Sequence, residues 1–334
     1  MARQVPLRVG IIGTGYIGTT VGGQFHHHPG STVAAITDIA PEPRAEAAAA
    51  FGVGEDSLYD DFRTMIEEAS LDAILVGTPH TLHYDQVMAG FDHDLHVFCD
   101  KPLTTDLERA RAITERAEAS DRTLMIGYQR HLNPAFVAAR ERFRESEPRW
   151  ITAEITQNWL SSFGDTWRTD PGLSGGGMLY DTGSHLLDAV LWTSGLEPTA
   201  VSSRMRFADD ERRVDAEATV LIEFENGTTA NVSVSGDSPC VREHIHLWDD
   251  DGAVYLDGRE WEPRTVTEID AESTAHVPYI DRNEGPNKAE AFLAAIDEDR
   301  APPATARDGL RVTAVTEAAY EAARADEWVD VALE

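Results

Sequence analysis

Cysteine, lysine and long apolar runs are what this sequence has least of. Only Cys99 and Cys240 occur among 334 residues. Two thiols cannot build a disulfide framework, and neither belongs to a C-x-x-C pair, which sets aside redox scaffolds and zinc ribbons. No uninterrupted apolar stretch approaches the ~18 residues of a membrane span, so no membrane partner is expected. The chain enters an apolar segment at Leu7 with only Arg3 before it, and Gly13 interrupts that segment. It therefore reads as a first β-strand in a cytoplasmic protein. Positive charge is also short: 59 acidic residues face 28 basic ones, a formal charge of −31 at pH 7. Phosphate is repelled by such a surface, which argues against nucleic acid as a partner.

Among the basic residues only Lys101 and Lys288 are lysines. Excess Asp and Glu, scarce Lys and plentiful Ala resemble the composition of proteins from salt-loving archaea, where multimolar salt shortens the Debye length to ~3 Å and suppresses self-repulsion. The length suits about two domains, and 42% hydrophobic residues can fill both cores.

Periodicity divides the chain. From Leu7 to about Gly127, short apolar runs (Leu7 to Ile12, Thr32 to Asp38, Asp72 to Val76, His96 to Cys99, Thr123 to Ile126) alternate with helical patterns, the signature of a doubly wound parallel sheet. Beyond Tyr128 the pattern predicts a helix after Pro134, a strand over Trp150 to Gln157 and a helix near 178 to 194. Alternating hairpins follow, with turns at Asn226-Gly227 and Asp251-Gly252. The expected fold class is α/β: a doubly wound parallel-sheet domain over 1–127, then an α+β domain over 128–334 with a mostly antiparallel sheet and helices on one side. The last helix, 309–325, could pack on either. With no long linker between the halves, a cleft between them is the expected ligand site.

Gly13-Thr14-Gly15-Tyr16-Ile17-Gly18 lies between the first strand and the first helix. Dinucleotide binding requires that context: a tight turn, close approach of backbone to pyrophosphate, and close helix packing. Asp38 follows 20 residues after Gly18, placed to accept from a ribose 2′-OH. This favours NAD, with NADP possible because Arg44 is near. Thr78-Pro79-His80 with His83, and Asp100-Lys101-Pro102, fall at the carboxyl ends of further parallel strands, where open α/β sheets place ligands. In a chain nearly purged of lysine, Lys101 reads as a residue doing what a compact, titratable ammonium does and a guanidinium cannot. A glycine-rich run, Ser174 to Gly177, leads to Asp181, His185 and Asp188. At helical spacing these put a carboxylate, an imidazole and a carboxylate on one face. A buried structural cluster, a metal site and an acid/base pair all fit, metal least, since no H-E-x-x-H or Cys ligands accompany them.

In this order the motifs resemble the family of glucose-fructose oxidoreductase, inositol dehydrogenase and MocA (Gfo/Idh/MocA). They are the glycine run at 13–18, Thr78-Pro79-His80 with His83, Asp100-Lys101-Pro102, Trp167-Arg168, and the run from Gly175 to Asp181, His185 and Asp188. Two departures are Asp100, where the family usually has Glu, and His80, where Asn is common. The resemblance implies an N-terminal Rossmann domain followed by a C-terminal α+β domain with an open-faced, mostly antiparallel sheet, and hydride transfer between a secondary alcohol of a sugar or cyclitol and NAD(P). Lys101 and His185 would form the catalytic pair, with Asp181 a substrate-side carboxylate. Residues 13–18, Asp38, Thr78, Pro79, His80, His83, Asp100, Lys101, Trp167 and Arg168 would lie toward the cofactor. Arg130, Asn158, Arg168 and Tyr279 are candidate substrate contacts, no metal is expected, and the open sheet is the expected homo-oligomer interface. The alternatives are an NAD-dependent glycosidase or eliminase of the same fold, and a non-catalytic sugar- or cofactor-sensing regulator.

Overall fold

The structure is a computed structural model that describes residues 5–144, 146–281 and 285–333. It divides into two units. The first begins with β1 (Leu7–Ile12), α1 (Tyr16–His27), β2 (Ser31–Thr37), α2 (Pro41–Phe51), β3 (Leu58–Tyr59), α3 (Phe62–Glu68) and β4 (Ala73–Val76). It continues with α4 (His83–Asp92), β5 (His96–Cys99), α5 (Leu107–Glu118) and β6 (Leu124–Ile126). The strands form a six-stranded sheet in the order β3-β2-β1-β4-β5-β6, parallel throughout. Every residue of β4 is buried, as are Val9, Ile11 and Ile12 of β1. A sheet covered on both faces needs near-continuous apolar strands rather than alternating ones. The sixth strand, β3, was not expected; two residues are too few to show a period. α2 stops at Gly52, whose φ of +68° suits a left-handed C-cap.

The second unit holds α6 (Pro134–Arg142), β7 (Trp150–Thr156), α7 (Trp159–Phe163), α8 (Pro171–Ser174) and α9 (Ser184–Ser194), then β8 (Pro198–Phe207) and β9 (Asp215–Phe224). β10 (Thr229–Ser235), β11 (Arg242–Trp248), β12 (Gly252–Arg259), β13 (Thr265–Asp270) and β14 (Ala275–His276) follow. After α10 (Lys288–Asp297), α11 (Ala306–Ala325) and β15 (Val329–Asp330) complete the chain's elements. A nine-stranded sheet runs β14-β13-β12-β11-β7-β10-β9-β8-β15, antiparallel except for the pair β7 and β10. Both expected hairpins form, with φ of +83° at Gly227 and +146° at Gly252. Along β9, Val220, Ile222 and Phe224 are buried while Leu221 is exposed, so one face is packed and the other open.

One boundary differs from expectation. Residues Pro286–Gly309, including α10, belong to the first unit, and the chain re-enters the second at Leu310. The cause is aromatic packing: Phe292 of α10 meets Phe25 of α1 and Phe98 of β5 edge-on, at ring distances of 5.9 and 6.0 Å. Among the described residues no helix is long and apolar enough to cross a membrane.

Candidate functional site

In the first unit the strand order reverses between β1 and β4, and loops diverging from such a point leave a crevice at the strand ends. Gly13, which follows β1, has φ +86°. A Cβ on Gly18 would lie 1.8 Å from the Gly13 carbonyl oxygen, whereas one on Gly15 would meet nothing within 4 Å. Two glycines thus let helix and strand close up, and the third leaves its backbone open to a ligand. α1 starts without a side-chain cap, so its first amides face outward as an anion site requires. Tyr16 is exposed and Ile17 half-buried.

Asp38 accepts from the Thr14 amide at 2.7 Å and the Thr14 hydroxyl at 2.8 Å on one oxygen, and from the Ala40 amide at 2.8 Å on the other. The carboxylate is therefore tied to the glycine loop. Arg44 donates to the carbonyls of Asp38 and Tyr59 at 2.7 and 2.9 Å, which anchors its guanidinium at the ends of β2 and β3.

Past β4, the Thr78 hydroxyl donates to Gln86 at 2.6 Å, and Pro79 leads into a buried His80. His83 is fully buried, with Nδ1 2.8 Å from the Pro102 carbonyl and Nε2 3.0 Å from the Thr78 carbonyl. Burial lowers its pKa, against the opposing pull of Asp100. The neutral ring carries one N–H and donates to one of these two carbonyls, and it fills the space between the loop after β4 and the loop after β5. This corrects the reading of His83 as a cofactor contact. Asp100 and Lys101 end β5, each 8% exposed. Gly127 is required beside them, because a Cβ there would stand 2.6 Å from Asp100 Oδ1. Sequence reasoning gave no role to the other lysine, yet Lys288 Nζ lies 3.8 Å from that same oxygen. Its rarity was the available signal.

In the second unit, residues Leu179–Gly183 form a π-turn that runs directly into α9. Its wider winding departs from the α-helical spacing assumed between Asp181 and His185, while His185 and Asp188 keep that spacing within α9. Asp181 accepts from Trp159 Nε1 at 2.8 Å and Arg168 Nε at 3.0 Å. Arg168 lies over the rings of Phe163 and Trp167, 4.6 Å from each. Asp188 pairs instead with His131 Nε2 at 2.9 Å, under Trp192 stacked 4.2 Å from the imidazole, and is structural. His185 meets Tyr128 edge-on at 6.3 Å.

The three glycines at 175–177 are required by packing. Added Cβ atoms would lie 2.4 Å from Thr105, 2.3 Å from Tyr180 and 2.0 Å from the Asp215 carbonyl, respectively. Asp215, fully buried, accepts from the Gly177 and Leu179 amides at 3.1 and 2.9 Å and from the Tyr320 hydroxyl. Burial pushes its pKa up to about 6 despite these donors. No sequence pattern announced this anchor.

Arg130 is corrected. It is 3% exposed and donates to Glu243, which Arg264 grips from its other oxygen. Although Glu243 is buried, the two guanidiniums hold it below the usual carboxylate range. Arg130 is thus a core ion pair rather than a substrate contact. Asn158 is exposed at the start of α7, and Tyr279 is 92% exposed.

Two family models match the chain: an oxidoreductase family with NAD-binding Rossmann fold over residues 7–128, and a GFO/IDH/MocA C-terminal domain over 144–254. A D-xylose 1-dehydrogenase [NADP(+)] of Haloarcula marismortui is 25% identical over 86% of this chain and 82% of its own length. An inositol 2-dehydrogenase of Paracoccus denitrificans is 28% identical over 68% of this chain and 67% of its own. A levoglucosan dehydrogenase, solved in complex with NADH and L-sorbose, superposes with a TM-score of 0.84 at 21% identity, covering 98% of this chain and 99% of that one.

Proposed function

The chain belongs to the Gfo/Idh/MocA family of oxidoreductases, and from that premise we propose that it is an NAD(P)-dependent dehydrogenase of a secondary alcohol on a sugar or cyclitol, with Lys101 and His185 as its catalytic pair. The observation that carries this reading is Lys101, one of two lysines in the chain, placed at the carboxyl end of β5 in a sheet whose order reverses nearby. The residues fit a dinucleotide: the space beside Gly15 admits a pyrophosphate, the uncapped start of α1 faces it, and Asp38 is fixed where a ribose hydroxyl would be read. When bound, the nicotinamide accepts the hydride lost from the alcohol carbon. His185 takes the hydroxyl proton as general base. The Lys101 ammonium hydrogen-bonds the same oxygen and stabilises its developing negative charge. Asp181, held by Trp159 and Arg168, contacts the substrate. Asp38 and the anchored Arg44 favour NAD over NADP.

His185→Ala is expected to lower kcat roughly 10²- to 10⁴-fold while cofactor affinity stays nearly intact. Lys101→Arg keeps the charge but replaces a compact donor with a planar fork, and turnover is expected to collapse with it. Near-normal kcat in a folded Lys101→Arg protein would reduce Lys101 to a charge at a strand end and end this reading of the pair.

A further inference from the structure

Lys288 is the residue that local rules do not explain. It opens α10, a helix already closed by a complete capping box in which Asn287 receives the Glu290 amide and Glu290 receives the Asn287 amide. The helix start needs nothing more from the side chain. The positive end of a helix dipole repels an ammonium there and favours an acid. The side chain is also only 12% exposed, and burying an ammonium costs free energy. Nearly every other basic residue in the chain is arginine. A lysine kept at such a position is held by tertiary context.

That context is the end of β5. Packing of Phe292 against Phe98, two residues before Asp100, sets α10 on the sheet and brings Lys288 Nζ to 3.8 Å from Asp100 Oδ1. The distance is beyond hydrogen-bond reach and well within Coulombic range. The oxygen is buried and receives no hydrogen bond, so Lys288 acts on it by charge. Burial and Lys101 both push the Lys288 pKa down while Asp100 pulls it up. The only two lysines of the chain therefore interact electrostatically around one carboxylate.

We propose that Lys288 is a positioning residue for the reaction, drawing on the charge of Asp100 so that one carboxylate serves two ammonium groups and the end of β5 keeps net positive charge for the oxygen held by Lys101. Asp100 and Lys101 alone would sum to zero, and Lys288 restores the positive charge that a developing alkoxide needs. The proposal rests on the reading of Lys101 as catalytic, and two measurements separate them.

The first needs no turnover. With carbon-13-labelled lysine, the folded protein in molar KCl shows only two lysine side-chain signals, each titrated separately. Lys101→Met is expected to raise the Lys288 midpoint and Asp100→Asn to lower it, each by roughly half a pH unit or more. The second is kinetic. Lys288→Met is expected to lower kcat about tenfold with cofactor Kd and Tm unchanged, Lys288→Arg to recover most of that loss, and Asp100→Asn to restore turnover when added to Lys288→Met. A purely structural lysine predicts no rescue by Asp100→Asn.

A Lys288 midpoint indifferent to both substitutions, or wild-type turnover in a folded Lys288→Met protein, overturns the proposal. If Lys101→Met abolishes turnover and Lys288→Met does not, only the role of Lys288 falls. If Lys101→Met is itself harmless, both readings fall.

Discussion

Asp38 accepts hydrogen bonds from Thr14 and Ala40, and under the proposed reading a carboxylate so fixed would repel a 2′-phosphate. Asp38→Ala is expected to narrow the preference for NAD over NADP, read as the ratio of kcat/KM for the two cofactors. A wild-type enzyme that already prefers NADP would show that Arg44, despite its anchorage on two carbonyls, decides the matter. At this scale the sequence was legible where chemistry is local. The glycine run and Asp38 are linked by a strand of fixed length, and Lys101 follows β5 directly. It was not legible for Arg130 or Lys288, whose partners Glu243 and Asp100 lie 113 and 188 residues away. Side-chain type alone does not say whether a guanidinium meets a substrate or a buried glutamate.

At the scale of elements, the π-turn before α9 is held by Asp215 and Tyr320. The folded pKa of Asp215, about 6, lies above the ~3.9 of an unfolded aspartate. A raised carboxylate pKa means the folded state binds the proton more tightly. Its contribution to stability is therefore complete below about pH 4 and is lost as pH rises through about 6. Above that the anion depends on its donors. Tyr320→Phe should accordingly cost about 1.5–3 kcal/mol near pH 8, where the hydrogen bond is to a charge, and only about 0.5–1.5 kcal/mol near pH 5. Denaturant titrations at the two pH values check this, and equal losses would show that Asp215 does not change its ionisation between them. Hairpins, the C-cap at Gly52 and the first parallel strands were readable because period and turn residues carry them. The π-turn was not, since a 3.6-residue period assumes the winding it is meant to detect. Nor was the return of α10 to the first unit, because an apolar stripe does not name the surface it covers.

For the whole molecule, a formal charge of −31 repels itself unless screened, and most of the surface carboxylates have no basic partner available in a chain with 28 basic residues. The melting temperature followed by circular dichroism is expected to fall steeply as KCl is diluted from molar to millimolar, and a constant value would refute a salt-adapted surface. The central claim, that this member of the family oxidises a sugar or cyclitol, is tested most directly by presenting pentoses, hexoses, inositols and sugar acids with NAD and NADP in concentrated salt and following absorbance of the reduced cofactor. The account predicts sustained reduction with at least one free sugar or cyclitol, stoichiometric with the ketone or lactone formed. Cleavage of a glycoside without net reduction, or cofactor binding with no turnover of any member of the panel, would contradict it.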